Sequence, residues 1–567
     1  MNAASRNRLA TGTSLLCFLA LTAFGQQHPS RLQLEIPDDA YIPLPNESGR
    51  TSPAYNFSTV NFWATQVNVN ASGLNIVGDA ANEPSIAVDP TNANRMAIGW
   101  RQFNTITSNF RQAGYAYTTD GGHTWRFPGV LQPGVFRSDP VLDADANGNF
   151  YYNSLTTQGA NYLCHVFRSS TGGATWDNGT FAHGGDKQWM TIDKSTSAGR
   201  GNIYAYWTSN YSSCSPQFFT RSKDRGASYE DCVVIPDDPF WGTLAVAPDG
   251  RLFVVGVGNT GFVVARSSTA LDSSHVVTWD TATTVNLGGQ VVAFAGTNSP
   301  NPGGLHGQAW IAVDQSNTPR RGNVYVLCSV QPTSGTDPLD VMFTRSTDGG
   351  LTWSAPVRVN DDAGTNAWQW FGTLSVAPNG RIDAIWLDTR DSASTYRSSL
   401  YYAYSTNGGV TWSANQRLSN SFDPHLGWPQ QNKMGDYFDM VSDNDGASVA
   451  WAGTFNGEQD VYYGRISFPT DVAERKQQSP TTFSLSPNYP NPFNPSTEIR
   501  YQTPEVTHVT LKVFDVLGRE LATLVDEVQS PGFRSVRFDG SNLPSGVYFY
   551  RLDAGSFRQV QRMVVMK

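Results

Sequence analysis

One short pattern limits the possible folds of this chain more than any other feature. Thr118-Thr119-Asp120-Gly121-Gly122-His123-Thr124-Trp125 returns as Ser346-Thr347-Asp348-Gly349-Gly350-Leu351-Thr352-Trp353 and as Ser405-Thr406-Asn407-Gly408-Gly409-Val410-Thr411-Trp412. Weaker copies run from Ser222 to Tyr229 around Asp224 and from Ser169 to Trp176, where Thr171 replaces the acid. A sixth copy, Ser267 to Trp279, carries an insertion. A short acid or amide accepts backbone N–H bonds inside its own turn, glycine takes the positive-φ position, and the tryptophan packs between neighbouring sheets. Asp120, Asp224, Asp348 and Asn407 are therefore read as structural residues. Recurrence at intervals of several tens of residues means a repeat architecture.

A second pattern accompanies the first: an apolar strand, a turn, and another apolar strand often ending in tryptophan. Ile86 to Val88 with Met96 to Trp100 is one copy, and Leu374 to Val376 with Ile382 to Trp386 is another; seven such inner hairpins are read between Ile86 and Trp451. With 52 Gly, 32 Pro, 12% aromatic and only 15% charged residues, the composition favours many short strands over helical bundles. The fold expected is all-β. Strand 461–466 of the seventh repeat lacks a following partner, and residues 66–70 are expected to supply it, closing the ring and removing an exposed sheet edge.

The turn motif is the Asp-box, and residues from about 80 to 466 resemble the bacterial neuraminidase repeat proteins, the sialidase-like β-propellers. Seven blades are expected from the hairpins, with the six usual in sialidases as the alternative. In such a blade the start of the innermost strand and the end of the second strand face one mouth of the channel, and the turn motifs lie at the opposite rim. Those mouth positions hold Glu83, Asp139, Asp186, Trp241, His306, Trp368, Trp370, Asp436 and Tyr437, with Arg101, Trp207, Arg390 and Asp391 from second strands and Arg137 just before Asp139. Guanidinium groups clamp carboxylates and rings stack on sugars, so a glycan ligand is expected, with Arg101, Arg137, Arg390, Trp241 and Trp370 binding it. The resemblance implies for catalysis a Tyr437–Glu83 nucleophile pair and Asp139 or Asp436 as acid. It is broken at one place: sialidases carry a Tyr/Phe-Arg-Ile-Pro motif in the first blade, and Asn82 stands where that arginine belongs. A glycan-binding propeller, an exo-α-sialidase and a protein-binding surface propeller all remain open readings.

Asp143-Ala144-Asp145-Ala146-Asn147-Gly148 imitates the first half of a calcium loop, yet the twelfth position is Ser154 rather than glutamate, and an ordinary turn is the main reading. No cofactor is expected; calcium is the minor alternative. A net charge of −9 without a basic run argues against nucleic acid.

Both ends carry export signals. Arg6 and Arg8, the apolar run Leu15 to Phe24, and Ala23-Phe24-Gly25 read as a signal peptide over 1–25, and Cys17 lies inside the apolar run rather than in a lipobox. Residues 26–60 are read as a linker, 61–467 as the propeller and 468–482 as a second linker. Residues 483–567 contain Asn488-Tyr489-Pro490-Asn491-Pro492-Phe493-Asn494-Pro495, Val513 to Arg519 and Gly546 to Leu552, and closely resemble the C-terminal sorting domain of type IX secretion cargo. That resemblance implies a β-sandwich, the type IX machinery as a partner, and delivery through the periplasm to the outer surface or beyond, with no membrane span in the mature protein. Cys214 and Cys232 are near enough in sequence to pair in an oxidising compartment; the alternative is that they are small buried hydrophobes.

Overall fold

A computed structural model describes residues 39–41, 43, 49–159, 161–392, 396–468, 483–529 and 532–567. The expected signal peptide and most of the linker before the tail lie outside these residues. The chain divides into two compact units, one ending at Phe468 and the other beginning at Pro469.

The first unit is built from antiparallel sheets whose strands follow chain order from the axis outward. Blade one comprises Ala80–Val88, Met96–Phe103, Arg111–Thr118 and Arg126–Val130, and blade two Ser138–Ala144, Phe150–Gln158, Asn161–Ser169 and Thr180–Phe181. The innermost strands of blades three to seven are Trp189–Ile192, Leu244–Val246, Trp310–Val313, Gln369–Val376 and Asp439–Asp443. Each innermost strand contacts the next, and Asp439–Asp443 returns to Ala80–Val88, so among the described residues seven sheets form a closed ring.

Closure uses residues four positions earlier than the sequence suggests. Phe62–Gln66 pairs with Asp460–Ser467, from Phe62 opposite Ile466 to Gln66 opposite Tyr462. Segments 62–66 and 66–70 both alternate and both bury apolar residues, Phe62 and Ala64 in one and Val67 and Val69 in the other, but the ladder itself ends at Gln66. Asn68 is used instead as a cap, its Oδ1 accepting the Val461 N–H at 3.0 Å. Part of the expected N-terminal linker is also structured: Thr51–Pro53 pairs with Leu74–Ile76, and Asn56–Ser58 extends blade seven.

The turn motifs are stitched as their chemistry requires. Asp120 accepts the Thr118 hydroxyl at 2.7 Å and the Thr124 N–H at 3.0 Å, and Asp348 repeats both contacts with Ser346 and Thr352 at 2.7 and 2.9 Å. Asp224 does the same with Ser222 and Ser228 at 2.8 and 2.9 Å. Asn407 keeps the geometry but donates its amide to Thr411 Oγ1 at 2.8 Å, which an aspartate cannot do. The turn tryptophans reach the preceding blade: Trp125 meets Tyr463, Trp176 meets Tyr115, Trp279 meets Phe219, Trp412 meets Phe343, and Trp353 donates to Thr283 Oγ1. Trp125 is 8% exposed, whereas Trp353 and Trp412 are only half-buried rather than enclosed, because the turn sits at the rim. Cys214 and Cys232 form a disulfide, while Cys164 and Cys328 are the small buried hydrophobes.

The axis of the ring is a cavity of about 440 Å³ whose wall takes residues from all seven inner strands, among them Ile86, Leu142, Thr191, Leu244, Ile311, Leu374 and Met440. At one end Trp189 packs edge-on against both Trp310 and Tyr437, with ring centroids 5.0 and 5.1 Å apart. Three rings from blades three, five and seven therefore plug the channel.

The second unit holds a three-stranded sheet, Ser484–Leu485, Ser496–Thr503 and Gly532–Asp539. Beside it is a four-stranded sheet in the order Glu520–Gln529, Thr507–Phe514, Gly546–Ala554, Phe557–Val565. Alternating Val509, Leu511 and Val513 with Tyr550 and Leu552 fill its core against Ile499 and Tyr501 from the other sheet. Among the described residues no helix is long and apolar enough to cross a membrane.

Candidate functional site at the channel mouth

Just before they enter the plugged channel, the inner strands bulge. The ladder of blade one slips between Asn82 and Ser85, that of blade two between Asn153 and Leu155, and that of blade six between Trp370 and Thr373. The residue displaced by each bulge has a positive φ: Glu83 at 51°, Asp139 at 47° and Phe371 at 58°. Lys187 of blade three and Trp241 of blade four share this conformation at 55° and 54°. For side chains other than glycine it costs of order 1–3 kcal/mol each, and here it turns side chains toward the axis that a regular strand would not present.

The result is an ion cluster drawn from blades one, two, three and seven. Arg101 Nε lies 3.1 Å from Glu83 and donates to Asn82 Oδ1 at 2.8 Å. Lys433 Nζ is 2.7 Å from Asp436 and 3.7 Å from Glu83. Lys187 Nζ sits 3.0 Å from Asp436, 3.4 Å from Asp186 and 3.6 Å from Asp139. Asp139 and Asp436 are further held by the Ser138 hydroxyl at 2.6 Å and the Leu305 N–H at 2.8 Å. Asn82 passes the network on through Gln459, whose amide donates to the Lys433 carbonyl.

Electrostatics separates the carboxylates. Glu83 is fully buried, and burial raises its pKa to about 7 against the pull of Arg101, with Asp436 and Asp139 pushing the same way as burial. Burial would raise Asp139 too, but Lys187 and Arg101 hold it at about 2. Asp436 is kept well below the usual range by Lys187 and Lys433 despite its burial. A carboxyl that keeps its proton near neutrality thus stands among ionised ones, the separation of roles that acid–base chemistry requires. Neither Glu83 oxygen nor Arg101 Nη2 has a hydrogen-bond partner among the described residues. Solvent touches the group through Lys187, Lys433 and Asp186, whose side chains are 7%, 11% and 13% exposed.

Several residues expected here are elsewhere. Arg390 is drawn to Asp361, Asp362 and Asp388 at 2.6 to 3.4 Å and lies over the Tyr401 ring, because acids of the preceding blade's loop outcompete the mouth for it. Asp391 is bound by the Tyr401 hydroxyl in the same group. Arg137 faces Gln132 and the Ser154 carbonyl and stacks on Phe167, so burial lowers it to about 10. Arg101 is therefore not joined by Arg137 and Arg390 as a clamp; Lys187 and Lys433 stand beside it instead. Trp370 is wholly enclosed in blade six with its N–H on Ser398, and Trp241 is packed on Phe240, so neither ring offers a face to a sugar. The Tyr437 hydroxyl is committed to the Pro140 carbonyl at 2.7 Å within the plug, and burial raises its pKa well above the usual value, with the neighbouring Glu83 and Asp139 carboxylates pushing the same way. Trp207 is buried with its N–H on Ser212. His306 is buried against Trp368, and burial lowers it to about 3, leaving a neutral ring. In the calcium-like turn Asp143 pairs with Lys194, and Asp145 accepts the N–H groups of Asn147 and Asn149.

Residues 488–566 match the secretion system C-terminal sorting domain family. No curated protein matches the chain. Among solved structures, a fungal alcohol oxidase of the AA5 family in complex with copper is 11% identical over 92% of this chain and 100% of its own, with a TM-score of 0.44. A PL25 ulvan lyase is 11% identical over 69% and 94%, TM-score 0.40, and the Trypanosoma rangeli sialidase is 10% identical over 88% and 89%, TM-score 0.36. The tail is a sorting domain, and the protein is exported by that secretion system to the cell surface or outside.

Proposed function

We propose that the exported propeller binds glycans at the channel mouth, with the ammonium groups of Lys187 and Lys433 taking an acidic group of the sugar. The observation that carries this reading is the meeting of residues from blades one, two, three and seven in one ion cluster whose solvent-touching members include both lysines. Sequence-distant positions converge there on strained backbone, which argues for a role beyond holding the ring together.

Hydrolysis is the second reading, and the pKa separation favours it. Glu83, protonated near pH 7, would donate to a leaving oxygen, and ionised Asp139 or Asp436 would stabilise developing positive charge. The absence of an arginine at Asn82 and the placement of Tyr437 in the plug argue against a sialidase of the usual kind. The test is to incubate the purified full chain with a glycan array and with fluorogenic sialosides and uronides. Binding without turnover supports the first reading and turnover the second; neither, with the protein folded, removes both and leaves a protein partner.

A further inference from the structure

The ring closes where residues 68–79 meet blade seven, and three carboxylates are buried at that seam. Asp79 leads into blade one, and Glu458 and Asp460 open the third strand of blade seven; they are 3%, 7% and 0% exposed. One carboxylate oxygen from each lies within 4.8 Å of the others. What faces them is amide and phenol: Gln102 on Asp79 at 2.9 Å, Asn75 on Glu458 at 2.9 Å, and Asn68, Asn456 and Tyr462 on Asp460 at 2.9 to 3.3 Å. Among the described residues no lysine, arginine or histidine pairs with any of the three. Asp79 also keeps one oxygen, Oδ1, buried with no hydrogen-bond partner.

We infer that this seam binds a calcium ion. Buried carboxylates without a cation are costly, and an orphaned carboxylate oxygen beside two further acids is what a hard dication would use. The donor set is all oxygen, without nitrogen or sulfur ligands, which disfavours zinc. Three carboxylates of different reach suit the long, adaptable coordination of Ca²⁺ better than the rigid octahedron of Mg²⁺. The ion would tie the segment entering blade one to the last blade and lock the ring where its first and last segments meet. Gly78 N–H on Glu458 at 2.7 Å and Asn68 on Asp460 already run along that seam.

The test uses the full chain stripped with EDTA and dialysed against Ca²⁺. About one ion per chain should be taken up, with a dissociation constant of ~10⁻⁴–10⁻³ M as in other extracellular modules, and the thermal midpoint should rise by a few degrees. Asp79→Asn and Glu458→Gln should weaken uptake at least ~10-fold, as loss of a charged ligand does, while Asp143→Asn at the calcium-like turn leaves it unchanged. Should these variants fail to fold, Tb³⁺ in the wild type supplies the readout: its emission should be sensitised by Tyr462, fall in Tyr462→Phe, and be displaced by Ca²⁺. No uptake by the wild type, uptake that survives Asp79→Asn, preference for Mg²⁺, or stabilisation by acid with no dependence on Ca²⁺ would each overturn the assignment.

Discussion

Lys187 of blade three and Asp436 of blade seven meet at 3.0 Å across the channel axis. Neither blade neighbours the other in the ring, so the contact ties opposite walls together, with Lys187 also reaching Asp139 of blade two. Lys187→Met would leave buried Asp139 and Asp436 short of a counter-charge. Removing one partner from such a cluster should cost roughly 3–5 kcal/mol, read as a lower midpoint in urea. A loss below ~1 kcal/mol, the value of an exposed ion pair, would show that water screens the site.

Glu83 gives the mouth a pH signature. Its folded pKa is about 7 against an ordinary 4.5, so the native state binds the proton more tightly than the unfolded chain. Its contribution is greatest below pH 4.5 and is lost as pH rises toward about 7. Glu83→Gln should flatten stability across that window. Asp139 works in the opposite sense: held at about 2 rather than 3.8, it stabilises above 3.8 and ceases to as pH falls through about 2. Asp139→Asn should flatten only that acid limb, and stability measured from pH 2 to 8 separates the two.

At the far rim, Trp125→Ala removes a ring enclosed against Tyr463 of blade seven. Large core truncations of this kind cost about 3–5 kcal/mol. The half-buried Trp353 should cost less, and neither change should alter ligand affinity at a temperature where the variant stays folded. A variant that loses binding while its melting temperature holds would place the turn motif in the site.

Gly435 supports the site from behind. Its φ is +94°, and a Cβ there would come within 2.4 Å of Glu83 Cγ. Gly435→Ala combines a backbone penalty of about 1–3 kcal/mol with displacement of Glu83. It should therefore reduce ligand binding more than an equally destabilising Trp353→Ala, a comparison that titration calorimetry on both variants makes directly.

The repeat was legible because its turn chemistry and alternating strands impose a period that composition does not obscure. Ring closure was legible in kind but not in register, since 62–66 and 66–70 alternate alike and the ladder ends at Gln66 only because the Asn68 side chain takes the Val461 N–H. At the site, Glu83, Arg101, Asp139, Asp186 and Asp436 could be read from strand ends. Lys187 and Lys433 were missed, although one follows Asp186 directly and the other lies three residues before Asp436. Both lie outside the strands that alternation describes: Lys187 stands before Trp189–Ile192 with a positive φ that turns its side chain inward, and Lys433 lies in the loop before Asp439–Asp443. Arg390 was misplaced because its partners Asp361 and Asp362 come from another blade's loop, which strand spacing does not reveal.

The most direct measurement is the affinity of the full chain for the strongest acidic glycan from the array, compared with Lys187→Met, Lys433→Met and, as a control at the far rim, Arg251→Met, whose side chain pairs with exposed Asp249. Loss of a charge-assisted contact should weaken binding by about 10-fold or more for each mouth variant and leave the control at wild-type affinity. Unchanged affinity in folded Lys187→Met and Lys433→Met, or equal loss in the control, would contradict a glycan site at the channel mouth.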